Sequence, residues 1–146
     1  MTIPQRLTTK LIDVACDRDI AAAREAGLAL AAMAGMREGD GVRFATAISE
    51  LARNTLTYAE RGVCRLALTL DGGNCRLEAQ VTDRGPGIDD DESALSHDYS
   101  TGRGLGIGLP GARKLVDDFD LSTSADGTTV RIAVEGRVVR AAEDTG

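Results

Sequence analysis

The chain of 146 residues has no tryptophan, one histidine, three prolines and three cysteines, and each shortage removes a class of explanation. Cys16, Cys64 and Cys75 form no Cys-x-x-Cys pair and are odd in number, so neither a zinc site nor a complete disulfide framework is signalled. They read as reduced, mostly buried thiols. The lone His97 stands in a polar stretch, which argues against a cysteine–histidine catalytic pair. No apolar run reaches the roughly 18 residues a membrane span needs. The opening residues, Met-Thr-Ile-Pro-Gln-Arg, lack the basic region and apolar core of a secretory signal, and a cytoplasmic protein is expected. Basic charge is also short: the formal net charge is −6, against a broad DNA- or RNA-binding surface but compatible with a single nucleotide. The length suits one domain, expected over 1–136, with a polar tail over 137–146 that frays.

Glycine, by contrast, is abundant and concentrated. Ser100 to Gly111 reads Ser-Thr-Gly-Arg-Gly-Leu-Gly-Ile-Gly-Leu-Pro-Gly, with glycines at 102, 104, 106, 108 and 111. Residues without Cβ let backbone N–H groups approach a ligand, and a helix is expected to follow over 112–119. That combination suggests a phosphate cradle. A dinucleotide fingerprint would follow the first strand of a βαβ unit, whereas this run comes late; a Walker loop would end in Gly-Lys-Ser/Thr, which is missing. The interleaved Leu105, Ile107 and Leu109 argue against a solvated linker.

In chain order, residues 6–15 alternate enough for a first strand, and Asp17 or Asp19 can cap the alanine-rich helix expected over 20–36. Gly35 to Gly41 breaks it. A second helix is expected over 42–60, opened near Asp40, with Ala45, Ile48, Ala52, Leu56 and Ala59 on its buried side. Within it Glu50 and Asn54 stand four apart, on one face, with Cβ atoms roughly 6 Å apart, so the pair can share a ligand. Two alternating runs, 63–70 and 75–81, flank Asp71-Gly72-Gly73-Asn74 and predict a hairpin. The second run leads into Asp83-Arg84-Gly85-Pro86-Gly87, which on its own reads first as an ordinary turn and second as a carboxylate at a strand end with glycines that leave room for a flat ring. Residues 89–101 are acidic and aperiodic and read as a mobile lid. Pro110 is tolerable in the first turn of the helix ending near Asp118, and 121–125 with 128–135 form a closing hairpin.

Four features thus stand in order: Glu50-Leu-Ala-Arg-Asn54, Asp83-Arg-Gly85-Pro-Gly87, Gly102-Arg-Gly104-Leu-Gly106-Ile-Gly108 and Gly127-Thr-Thr129. This set resembles the GHKL ATPase superfamily of gyrase, Hsp90, MutL and histidine kinases. Ala45-Thr-Ala-Ile-Ser-Glu-Leu-Ala-Arg-Asn54, Tyr58-Ala59 and Tyr99 to Gly111 most resemble the serine/threonine switch kinases of bacterial partner-switching systems, the RsbT-like kinases of the stressosome in particular. A detached histidine-kinase domain matches those stretches less well.

The resemblance implies an α+β, two-layer sandwich, a mixed and mostly antiparallel sheet covered on one face by helices, with ATP and Mg²⁺ bound between helices and lid. It implies Asn54 as the Mg²⁺ ligand and Glu50 as the catalytic carboxylate that orients or deprotonates the attacking hydroxyl. Asp83 would accept the adenine amino hydrogen, Gly85 and Gly87 would leave space beside the base, and Gly104, Gly106 and Gly108 would offer N–H groups to the phosphates. Arg103 is a candidate phosphate contact, with a solvated arginine as the alternative; Thr129, ahead of Thr128, would close the adenine network. The implied activity is ATP-dependent phosphorylation of a serine or threonine on a STAS-domain antagonist. The alternative is an anti-sigma factor or phosphatase activator that sequesters a sigma factor or activates a PP2C-type phosphatase. Oligomeric state is open, a homodimer included.

Overall fold

A computed structural model describes residues 5–85 and 108–139. Helix α1 (Asp17–Ala34) and helix α2 (Glu38–Ala59) follow strand β1 (Gln5–Val14), and the hairpin β2 (Gly62–Asp71) and β3 (Asn74–Asp83) comes next. A short helix α3 (Gly108–Leu115) precedes β4 (Asp118–Ser124) and β5 (Gly127–Arg137). The strands form one sheet in the order β1-β2-β3-β5-β4, and every pairing among the described residues is antiparallel.

Period-two alternation decides which face of the sheet is dry. Cys75, Leu77, Ala79, Val81 and Asp83 on β3, with Thr128, Val130, Ile132 and Val134 on β5, are all buried on the helix side. Over β3, β5 and β4 the other face carries ion pairs and a hydrogen bond: Arg76 bridges Asp118, Glu135 and Glu78, and Arg131 donates to Gln80 at 3.0 Å. One helical layer therefore suffices. Helix α2 fills it centrally, burying Phe44, Ile48 and Leu51, and packs on α1, α3, β3 and β5.

Local chemistry sets the helix ends. Asp19 Oδ2 accepts the Ala15 N–H at 2.9 Å and the Cys16 N–H at 3.3 Å, so the acid closes the β1–α1 junction from inside the first turn. The Ala15 N–H, above all, holds its carboxyl below the usual range. Gly35 ends α1 in the left-handed conformation, at φ 76°. The break is shorter than the glycines suggest. Helix α2 starts at Glu38 rather than Val42, and Asp40 lies within its first turn, paired with Arg43 at 2.8 Å. Gly41 is buried there against Ala31, where a Cβ would come within 2.9 Å, and this tight helix–helix contact outweighs a glycine's helix cost of about 1 kcal/mol.

The last helix is shorter than its sequence suggests. It stops at Leu115, and Phe119 lies on β4, opposite Ile132. Phe119, Leu121 and Thr123 alternate with exposed polar residues, and edge pairing with β5 claims them. The Gly72-Gly73 hairpin forms as expected, Gly72 at φ 65°. The lid over 89–101, Gly87, Arg103, Gly104, Gly106 and His97 lie outside the described residues, as do 140–146 of the tail.

Two measurements test this architecture. Leu77→Ala, in the fully buried row of β3, is expected to cost about 2–5 kcal/mol in urea unfolding. Burial pushes the Cys64 thiol up to about 12 and raises Cys75, whereas Cys16 is exposed. Alkylation requires the thiolate, so mass spectrometry after iodoacetamide at pH 8 should find one adduct on native protein, at Cys16, and three after unfolding. Between pH 9 and 12 the unfolded chain ionises Cys64 and the native one does not, so stability should fall as pH rises through that window.

Candidate functional site

Helix α2 carries the polar pair on its inner edge. Glu50 is 7% exposed, and both carboxylate oxygens are engaged: Arg53 Nη1 donates to Oε1 at 2.7 Å, and the backbone N–H of Gly108 donates to Oε2 at 2.9 Å. A buried carboxylate needs such donors, because an unsatisfied one is costly. Gly108 is the first residue of α3 and sits at φ 68°, so the donor is an amide at a helix N-terminus, where negative charge is favoured. The other end of α3 is tied to the same helix: Arg43 Nη1 donates to the Leu115 carbonyl at 2.7 Å. Glu50 and Arg43 are seven residues apart, roughly 10 Å along α2, about the span of an eight-residue helix. The carboxylate faces the positive end of the α3 dipole and the guanidinium its negative end.

Asn54, one turn on from Glu50, is half-buried, and its amide makes no hydrogen bond among the described residues. A magnesium ion keeps several waters and takes substrate phosphates, needing only one or two protein ligands. No group of three or more His, Cys, Asp or Glu able to hold a metal occurs among the described residues. One unengaged amide oxygen fits an ion carried on a phosphate chain and not a self-standing metal centre.

The second half of the site is at the ends of β3 and β5. Asp83, 8% exposed, accepts the Gly85 N–H at 2.9 Å and the Thr128 N–H at 3.3 Å, both on Oδ1. Its Oδ2 takes no hydrogen bond among the described residues, a buried acceptor left for something else. Two close backbone approaches build this corner. A Cβ on Gly127, at φ 151°, would strike the Asp83 carbonyl, and one on Gly85 would lie 2.5 Å from the Ala59 Cβ. Gly85 is thus bare because the end of α2 presses on it, a packing reason beside the space it was expected to leave for a base.

The sheet register separates the two candidate threonines. Asp83 pairs with Thr128, and Thr82 pairs with Thr129. Thr128 is buried on the Asp83 side, its hydroxyl 2.8 Å from that of Thr123; the Thr129 hydroxyl meets Thr82 at 3.4 Å on the opposite face. The threonine beside the acid is Thr128, not the Thr129 favoured from sequence. One-residue register cannot be fixed in a Gly-Thr-Thr run until the strand partner is known. Arg53 was also passed over as a site residue. Its i, i+3 spacing from Glu50 was the available signal.

Glu50 and Gly108 are therefore joined directly, Asp83 and Thr128 likewise, and the Ala59–Gly85 contact links the two halves. Residues 39–137 match the family described as "Histidine kinase-, DNA gyrase B-, and HSP90-like ATPase". The chain is 41% identical over 114 residues to "Serine/threonine-protein kinase RsbT" of Bacillus subtilis (strain 168), covering 77% of this chain and 86% of that protein. A solved structure of the RsbU and RsbW domains of Rv1364c from Mycobacterium tuberculosis superposes with a TM-score of 0.56 at 24% identity, over 91% of this chain and 32% of that one. That similarity bears on the fold alone. With a match across most of its length and both halves of the site assembled on the sheet and helices just described, the chain belongs to the histidine kinase-, DNA gyrase B- and HSP90-like ATPase family.

Proposed function

We propose that the chain is an ATP-dependent serine/threonine protein kinase of a bacterial partner-switching system, acting in the cytoplasm on a hydroxyl of a STAS-domain antagonist protein. The observation that carries the reading is the buried, doubly anchored Glu50 carboxylate one helical turn from the unengaged amide of Asn54. The similarity to a serine/threonine kinase over most of the chain supports it.

ATP is the phosphoryl donor. Asp83 Oδ2 accepts a hydrogen of the adenine amino group, with Thr128 closing the same corner. Asn54 holds Mg²⁺, which when bound neutralises charge on the phosphates. The acceptor hydroxyl oxygen attacks the γ-phosphorus in line, the bond to the β–γ bridging oxygen breaks, ADP leaves, and the hydroxyl proton passes to Glu50. Each Glu50 oxygen has a second lone pair beyond the one already used, so the anchored carboxylate can still take that proton. Placement and charge carry the rate, because phosphoryl transfer asks for little covalent help.

The test is transfer of label from ATP, with Mg²⁺, to a panel of purified STAS-domain proteins, followed by mapping of the modified residue. Glu50→Gln is expected to lower the turnover about 10²- to 10⁴-fold while leaving ATP affinity near wild type. Asn54→Ala should abolish transfer and the magnesium dependence of nucleotide binding; full activity in either variant refutes the assigned role. In calorimetry, Thr128→Val should weaken ATP binding roughly five- to tenfold, consistent with the loss of one hydrogen bond worth about 1 kcal/mol, and Thr129→Val should leave it unchanged.

A further inference from the structure

We propose that Arg53 is a positioning residue of the phosphoryl-transfer reaction, holding the Glu50 carboxylate in its working orientation; this rests on the kinase reading above. Among the described residues Glu50 has two anchors of different kinds. The Gly108 N–H belongs to the helix N-terminus that an incoming phosphate chain would use, and an amide N–H makes one strong bond at a time. The anchor from Arg53 at 2.7 Å is charge-assisted and lies on the same helix, one turn away, independent of α3. When phosphate oxygens draw on the Gly108 donor, Arg53 is the anchor that remains among the described residues.

Exposure separates this pair from an ordinary surface ion pair. The Glu50 side chain is 8% exposed and Arg53 is 42% exposed. The guanidinium thus spans from the buried carboxylate to the open groove between α1 and α2, which Arg24, Ser49 and Leu56 also line. It reaches the buried carboxylate from the solvent side of that groove. A solvent-exposed salt bridge on a helix would contribute little beyond helix stability. A clamp on a catalytic carboxylate would show in turnover, because a displacement near 1 Å at a reacting group costs about 10²-fold.

The experiment uses the full chain, ATP, Mg²⁺ and whichever purified STAS-domain protein the wild type labels. Arg53→Ala and Arg53→Gln are expected to lower kcat roughly 10- to 100-fold, with KM for both substrates and calorimetric ATP affinity within about threefold of wild type. Arg53→Lys should recover most of the loss, since one charged donor can still reach Oε1. In the Glu50→Gln background, Arg53→Ala should produce no further fall in residual turnover, because residues acting as a unit are not additive. Unchanged kcat in Arg53→Ala, or losses that simply multiply in the double variant, overturn the proposal. A rise in KM for the protein substrate at constant kcat makes Arg53 a docking contact, and a fall in ATP affinity makes it a nucleotide contact; either overturns it too. Wild type that labels no STAS protein refutes the kinase reading itself, an outcome distinct from any change at Arg53.

Discussion

The arrangement depends on a buried carboxylate placed against the amino end of an eight-residue helix. Eight residues are too few for a helix to persist by propensity alone, since nucleation is unfavourable and only a few backbone bonds repay it. Helix α3 survives because Leu109 and Ala112 are buried and because α2 satisfies it at both ends, Glu50 on the Gly108 N–H and Arg43 on the Leu115 carbonyl. The two charges oppose the two ends of its dipole, each favourable by roughly 0.3–1 kcal/mol or more when partly buried. A residue proposed for proton transfer is therefore also part of what holds the adjoining helix in place.

The corner at Asp83 is built by a different means, close backbone packing. Gly127 lies so near the Asp83 carbonyl, and Gly85 so near Ala59, that any side chain would push β5 or α2 away. These contacts fix the Asp83 backbone, and the Gly85 and Thr128 N–H groups then fix Oδ1. Both donors converge on Oδ1, which leaves Oδ2 without a hydrogen bond among the described residues. The glycines around a binding corner thus serve first to let chain segments touch, and whatever room they leave for a ligand follows from that.

Much of this was legible in the sequence, and the misses share a cause. Alternation gave both hairpins, and helical spacing gave α1 and α2. What failed depended on partners outside the local window. The start of α2 was displaced because Gly39 and Gly41 read as a break, whereas Gly41 packs closely against Ala31 of α1. Phe119 was assigned to a helix because its pairing with Ile132 is a tertiary fact. Thr128 and Thr129 are equivalent as neighbours in sequence and are separated only by register against β3. Arg53 was not singled out, because its bond to Glu50 gains meaning only once Glu50 is known to be buried.

The anchoring also differs among the polar groups in a way their proposed tasks explain. Glu50 and Asp83 each take hydrogen bonds from backbone amides, rigid donors that cost no side-chain entropy to place. A group that must meet a developing charge or a specific ring atom gains from being fixed before the ligand arrives, because reorganisation then adds nothing to the barrier. Asn54 has no such anchor among the described residues. In the proposed role as a metal ligand it would have less need of one, because a bound cation would itself orient the amide oxygen. Among the described residues, backbone anchoring is thus given to the two carboxylates and not to the amide proposed to meet a cation.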